Sequence, residues 1–278
     1  WQDVKVVSIP KLGNTLILDH HTQSADKDEK IYHQALVHPA LLSHPNPKKV
    51  FIGGGGEGAT ARECLRHKGV EKVVMLDLDP EVVELCRKYM PKSNEGVFED
   101  PRFTCVYQDA RQYLRECGEK FDVIIMDIND PIDGGPGWYL YTKEFYAEVG
   151  EKYLTDDGVF VTQSTSTMYE GRVFQIIYNT LKASFSQVSP YCTGMIESFS
   201  EPWAFNIATN SKNHQLFDKS TPVDEVDKRI KDAINVGELE EYDGETHRGM
   251  FNMSKSIRNG FEETDEVYTT EKPKFFIQ

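Results

Sequence analysis

The chain has 278 residues, 39% hydrophobic and 27% charged, which suits one full α/β core and excludes a disordered or fibrous protein. Its formal net charge of −14 opposes contact with a phosphate backbone, so nucleic acid is not an expected partner, while small cations would be drawn into any cleft that concentrates the field. Cys64, Cys86, Cys105, Cys117 and Cys192 are scattered without a CxxC pair, no apolar run could cross a bilayer, and the first residues lack a signal pattern; a cytoplasmic protein with reduced thiols and no membrane contact is expected.

Residues 3–9 and 15–19 are β-rich and joined through Pro10, Lys11, Gly13 and Asn14, which predicts an antiparallel hairpin in a small amino-terminal β element over residues 1–25. From Asp26, the residues Ile31, Tyr32, Ala35, Leu36 and Pro39 follow a helical period up to the breaker at Pro45 and Pro47, so Tyr32 and His33 share a helix. Across 26–278, read as one catalytic domain, apolar runs at 50–52, 73–78, 103–107, 123–126 and 159–162 alternate with helical segments. Continuous apolar strands between helices predict an α/β fold: a Rossmann-like, doubly wound, mostly parallel sheet with ligands at the carboxyl ends of its strands. Runs around Tyr191 and at 205–209 predict an antiparallel edge pair, and 222–278 reads as charged and locally helical.

After the first buried strand stands Gly53-Gly54-Gly55-Gly56-Glu57-Gly58, followed by a helix from Ala59. Glycines let a ligand approach the backbone, although a plain tight turn uses them too. Asp77, about 20 residues further on at the end of the second strand, can accept hydrogen bonds from both hydroxyls of a ribose. Nicotinamide enzymes and S-adenosylmethionine methyltransferases share this layout, so the polar residue of the loop decides the ligand. Glu57 would repel the carboxylate of S-adenosylmethionine and attract the bare ammonium of its decarboxylated form, by up to about 4 kcal/mol at ~4 Å. Its alternative role is to favour the N-terminus of the following helix. Asp109 suits an adenine amino group and Ala110 leaves room for the ring; a helix N-cap at Asp109 is compatible with that.

The fourth strand ends in Asp127-Ile128-Asn129-Asp130-Pro131, followed by a loop rich in glycine and proline. Two carboxylates three residues apart at a strand end can converge on one bound cation. Making an amine neutral near pH 7 costs about 4 to 5 kcal/mol from a pKa of ~10.4, so a base is needed; Asp127 is the candidate, with Asp130 holding substrate charge. A neutral nitrogen would then attack the carbon beside a sulfonium and release methylthioadenosine, by alignment and desolvation. His20, His21, His33, His38 and His44 form no metal motif, and neither a metal nor a cofactor is expected.

In chain order, Trp1-Gln2-Asp3-Val4, Asp28-Glu29 with Tyr32-His33, His44-Pro45-Asn46-Pro47-Lys48-Lys49-Val50, the glycine loop with Glu57, Asp77-Leu78-Asp79, Asp109 and 127–131 resemble the spermidine and spermine synthase family. The resemblance implies an aminopropyltransferase of methyltransferase-like fold, with decarboxylated S-adenosylmethionine as co-substrate and spermidine or putrescine as acceptor. It implies donor-binding positions at Gln2, His33, Gly55, Glu57, Asp77, Asp109 and Ala110, a proton acceptor at Asp127, and a polyamine channel lined by Tyr32, Asp130 and Gln163. Gly54 to Gly58, 130–136, Leu140-Tyr141-Thr142-Lys143, Ile177-Tyr178-Asn179-Thr180 and Asp265-Glu266-Val267-Tyr268 look most like the thermospermine synthase branch, which makes spermidine the expected acceptor and thermospermine the product.

Spermidine synthase and spermine synthase remain alternatives, as do a methyltransferase, if Glu57 points away from the donor, and a catalytically silent polyamine-binding protein. Spermidine synthases typically carry aspartate where Glu57 stands and glutamate where Asp77 stands. Phe199 stands where they have a tyrosine that orients the diamine, and Glu197 is a rival for that wall. The family's longer amino-terminal β element helps form dimers or tetramers. Its first strands do not appear in this chain, which begins at Trp1, so missing upstream residues are one reading, and a homodimer or homotetramer is the implied assembly.

Overall fold

The computed structural model describes residues 2–168, 172–235 and 237–275; Trp1, which opens the amino-terminal motif, lies outside the described residues. Strands β1 (Val4–Ile9), β2 (Gly13–Leu18) and β3 (His21–Ala25) form a small antiparallel sheet. The expected hairpin is therefore three strands. The second turn is made by Asp19 and His20, both at positive φ (46° and 71°), the geometry of a type I′ hairpin turn that twists with its strands.

Helix α1 (Glu29–Ser43) follows, with Tyr32, His33 and most of its other side chains buried. It carries Pro39 in its interior, and a proline has no N–H to give to the carbonyl four residues earlier. That carbonyl, on Ala35, accepts instead from the Tyr191 hydroxyl at 2.9 Å, so the helix continues without an orphaned acceptor.

The main body then alternates β4 (Lys49–Gly54), α2 (Ala59–Leu65), β5 (Lys72–Asp77), α3 (Pro80–Tyr89), α4 (Pro91–Asn94), β6 (Phe103–Tyr107), α5 (Ala110–Glu116) and β7 (Phe121–Asp127). After these come α6 (Lys143–Glu148), β8 (Leu154–Ser166), α7 (Val173–Lys182), β9 (Gln187–Ile196) and β10 (Glu201–Thr209), closed by α8 (Val223–Ala233), α9 (Gly244–Phe251) and α10 (Lys255–Gly260). One seven-stranded sheet runs β6-β5-β4-β7-β8-β10-β9. The first five strands are parallel, and β10 joins β8 and β9 antiparallel, as the edge pair expected from sequence.

Neighbouring residues of each central strand serve opposite faces. Val50, Ile52, Val123 and Ile125 pack in the core beside α1 and α2, whereas Phe51, Ile124 and Met126 pack with residues of α5, α6 and α7. Burial on both faces explains why these strands read as unbroken apolar runs. The amino-terminal sheet lies on α3, with Val4, Val6, Leu16 and Leu18 against Val82, Cys86 and Met90. Near the other end of the chain, Tyr268 is fully buried and gives its backbone N–H to Thr180 Oγ1 at 2.9 Å, joining two stretches that lie far apart in sequence. Among the described residues, no helix is long and apolar enough to cross a membrane.

Candidate active site

The strand order reverses direction between β4 and β7, and in such sheets the crevice at the carboxyl ends of those two strands is the natural ligand site. The glycine loop sits there. Gly54 has a φ of +81°, and a Cβ on it would stand 2.0 Å from the Asp127 carbonyl oxygen; the Gly55 N–H donates to that same oxygen at 3.0 Å. At Gly56 a Cβ would fall 2.5 Å from Asp77 Oδ2. The loop is thus pressed onto the end of β7 and onto the second-strand carboxylate, and only glycine fits.

Asp77 ends β5 and accepts the Asp79 N–H at 2.9 Å. Burial pushes its pKa up to about 6 against the pull of that N–H, with the charges of Asp79 and Glu57 adding to the rise. Gln2 reaches the same corner, donating from Nε2 to Asp79 Oδ2 at 3.2 Å. Asp109 caps α5 by accepting the Gln112 N–H at 2.7 Å, and it also takes the Tyr139 hydroxyl; Ala110 is buried beside it. The cap takes one oxygen of the Asp109 carboxylate and the Tyr139 hydroxyl the other.

Glu57 is 8% exposed, and its Oε1 lies 2.9 Å from His33 Nε2. Burial opposes a charge on the His33 ring, yet the carboxylates of Glu57 and Glu29 outweigh it and hold the pKa well above the usual histidine range. The loop residue and the α1 histidine therefore form one unit, although 24 positions separate them.

Asp127 occupies the centre. Its Oδ1 accepts the Tyr32 hydroxyl at 2.8 Å, and its Oδ2 accepts the Thr60 hydroxyl at 2.5 Å. Burial raises its pKa; the His33 charge and the two hydroxyls pull it down, and Glu57 raises it further. A carboxylate with raised proton affinity, fixed by two donors, is a better base near neutrality than aspartate in water.

Asp130 lies beyond it. Burial pushes it up to about 6, and the charge of Glu201 adds to this while Gln163 opposes it. Gln163 Nε2 is 3.0 Å from Asp130 Oδ1, 2.8 Å from the Ile128 carbonyl and 2.6 Å from the Tyr141 hydroxyl, and its Oε1 accepts from Trp203 Nε1 at 3.0 Å. Thr165, two residues on, is β-branched yet sits at φ +68°, a strained conformation of the kind that clusters at functional sites. The wall beside Tyr32 is aromatic: ring centroids lie 6.0 Å away at Phe199, 6.4 Å at Trp203 and 5.3 Å at Phe205. Carboxylates next to aromatic faces suit an organic cation.

Of the residues picked out from sequence, Tyr32, His33, Gly55, Glu57, Asp77 and Asp127 gather at the switch point, while Asp130, Gln163 and Phe199 extend the acidic and aromatic side of it. Glu197 does not join them. It is exposed at the turn after β9, in an ion pair with Lys27, so of the two rivals only Phe199 packs against Tyr32.

Three residues of the cluster had no sequence signal, and Tyr141 was marked only as part of the 140–143 resemblance, with no role. Thr60 reads as an ordinary helix residue, Trp203 as a generic core aromatic. Glu201 begins β10, and its Oε2 is buried with no hydrogen-bond partner among the described residues. A buried carboxylate oxygen without a donor is costly unless a cationic ligand supplies one.

The Spermine/spermidine synthase domain matches residues 29–219. The chain is 43% identical to the polyamine aminopropyltransferase of Sulfurisphaera tokodaii, over 98% of this chain and 88% of that one. It is 41% identical to the thermospermine synthase ACAULIS5 of Arabidopsis thaliana, over 99% of this chain and 79% of that one. Among solved structures, a spermidine synthase in complex with the transition-state analogue AdoDATO superposes with a TM-score of 0.83 at 33% identity, covering 95% of this chain and 86% of that one. The spermidine synthase from Thermotoga maritima gives 0.80 at 31% identity, covering 95% and 85%.

Proposed function

The chain belongs to the spermine/spermidine synthase family, and on that premise we propose that it transfers the aminopropyl group of decarboxylated S-adenosylmethionine to spermidine, giving thermospermine and methylthioadenosine. The observation that carries the reading is the Asp127 carboxylate, half-buried at the strand reversal beneath the glycine loop and held by Tyr32 and Thr60. In the proposed reaction, a spermidine nitrogen gives up a proton to Asp127 and attacks the carbon next to sulfur. The carbon–sulfur bond breaks with its electron pair on sulfur, so the positive sulfonium becomes a neutral thioether. Glu57 would meet the ammonium end of the donor and Asp77 its ribose, while Asp109 and Ala110 would receive the adenine.

Spermidine rather than putrescine is favoured by the length of the acidic side. Asp130 and Glu201 add two carboxylates beyond Asp127, and the second of them has an oxygen awaiting a donor. Phe199, with no hydroxyl, leaves that wall apolar for the methylenes of a longer chain.

Incubation with decarboxylated donor and either putrescine or spermidine, followed by chromatography against thermospermine and spermine standards, tests this. Thermospermine formed from spermidine is the expected product. Conversion of putrescine alone would overturn the acceptor, and spermine as the product would overturn the end of spermidine that attacks.

A further inference from the structure

Behind His33 lies a row of buried charges that the proposed reaction does not use. His33 Nδ1 is 2.8 Å from Glu29 Oε2 and 2.7 Å from the Glu29 backbone carbonyl, on the far side of the ring from Glu57. Both oxygens of Glu29 are taken by Arg62, at 2.8 Å from Nη1 to Oε1 and 2.9 Å from Nη2 to Oε2. Arg62 is held in turn by Glu63 Oε1 at 2.8 Å and by the Ser93 carbonyl at 2.5 Å. The side chains of His33, Glu29, Arg62 and Glu63 are each at most 4% exposed. Such a row is expensive to bury, and a two-pronged guanidinium clamp on one carboxylate fixes its position closely.

The geometry constrains the ring. A neutral imidazole donates from one nitrogen only and would turn a lone pair toward the second carboxylate. With a carboxylate within hydrogen-bonding distance of each nitrogen, His33 satisfies both only when both nitrogens carry hydrogen. The groups that face it are Glu29 on its own helix, Glu57 from the glycine loop, the Asp127 charge from β7, and the edge of the Tyr32 ring at 5.0 Å; Arg62 on α2 stands behind Glu29.

We propose that Glu29, clamped by Arg62, is a positioning residue that keeps His33 an imidazolium, and that this buried positive charge, set against Glu57, holds Asp127 ionised in an otherwise acidic crevice. Glu29 itself touches neither substrate. The inference deepens the aminopropyl-transfer reading and rests on it only for the kinetic part of its test. Without the Glu29 carboxylate, Nδ1 would keep only the neutral backbone carbonyl of residue 29, the ring's charge would be less strongly favoured, and Asp127 would take up its proton at higher pH. The base would then be spent over a wider acidic range.

Nitrogen-15 histidine spectra of the intact protein test the ring directly, with the His33 signals assigned by their loss in His33→Gln. Both ring nitrogens should remain protonated from about pH 6 to about pH 9. A neutral His33 at about pH 7 in the unaltered protein would overturn the proposal, whatever any variant does. In Glu29→Gln, His33 should lose its charge at a lower pH than in the unaltered protein, and the acid limb of kcat should move up by about one pH unit. Glu29→Asp, which keeps the charge, should restore most of that limb. If Glu29→Gln leaves both the His33 charge and the acid limb unmoved, Glu29 is a packing residue only. If no aminopropyl transfer occurs at all while the spectra behave as expected, the reaction assignment falls and the positioning role stands.

Discussion

At Asp127 each carboxylate oxygen has one hydroxyl donor, so an isosteric amide keeps the shape and removes the proton acceptor. Asp127→Asn is expected to lower kcat by 10²-fold or more, the usual contribution of a general base, while methylthioadenosine binding stays within about threefold. Steady-state kinetics and calorimetry check the two halves; a variant within about tenfold of the original kcat would remove Asp127 from the role of base. Residues of this kind were legible in the sequence because their spacing is local. The glycine loop, Asp77 and the pair Asp127 and Asp130 each follow an apolar strand, and a strand end is where chemistry gathers in such sheets. Thr60, Glu201 and the Glu29–Arg62 clamp were not. Their meaning lies in partners 67, 33 or more positions away, and a threonine or arginine in a helix carries no mark of what it faces.

The element that tolerates least is the junction of β4 with the glycine loop. Gly54 combines a left-handed backbone with a backbone oxygen where a Cβ would go, whereas Gly118, at φ +64°, has nothing within 4 Å of that position. Gly54→Ala should therefore cost upwards of about 3 kcal/mol and disrupt the site, and Gly118→Ala only about 1 kcal/mol for its backbone strain. Urea midpoints of the two variants measure the difference; equal midpoints would mean that the loop gives way easily. Elements with a strong apolar signature were predicted nearly to the residue, as β5 and β6 show. Two polar ones were not. The segment His21–Ala25 has no apolar alternation, and its turn uses Asp19 and His20 in place of the usual Asn-Gly, so neither the strand nor the hairpin signal was present. Strand β8 runs well past the apolar stretch at 159–162, because its continuation, Gln163 to Ser166, is polar and yet buried, satisfied by hydrogen bonds such as those from Gln163 to Asp130 and the Ile128 carbonyl.

For the molecule as a whole, an acidic crevice is a stability cost. Asp130 rises from an ordinary 3.8 to about 6 in the fold, a displacement on the order of 3 kcal/mol. Because the folded pKa lies above the unfolded one, the folded chain holds this proton at pH values where the unfolded chain has lost it. The penalty is thus in full force above about pH 6 and fades as pH falls toward the unfolded value. Asp130→Asn should raise the melting temperature at about pH 8 by several degrees, and the gain should shrink toward about pH 4. Thermal scans across that range check it; a gain that grows on acidification would contradict the sign. Stability forgone at a binding surface is a common accompaniment of function.

The Gly55 N–H and the Asp127 carbonyl are partners in a single 3.0 Å hydrogen bond. In the proposed reaction, the cradle for one reactant and the floor beneath the other would thereby be riveted together at the main chain. Under that reading a shift of one half would carry the other with it, so the two reacting atoms would tend to keep their separation.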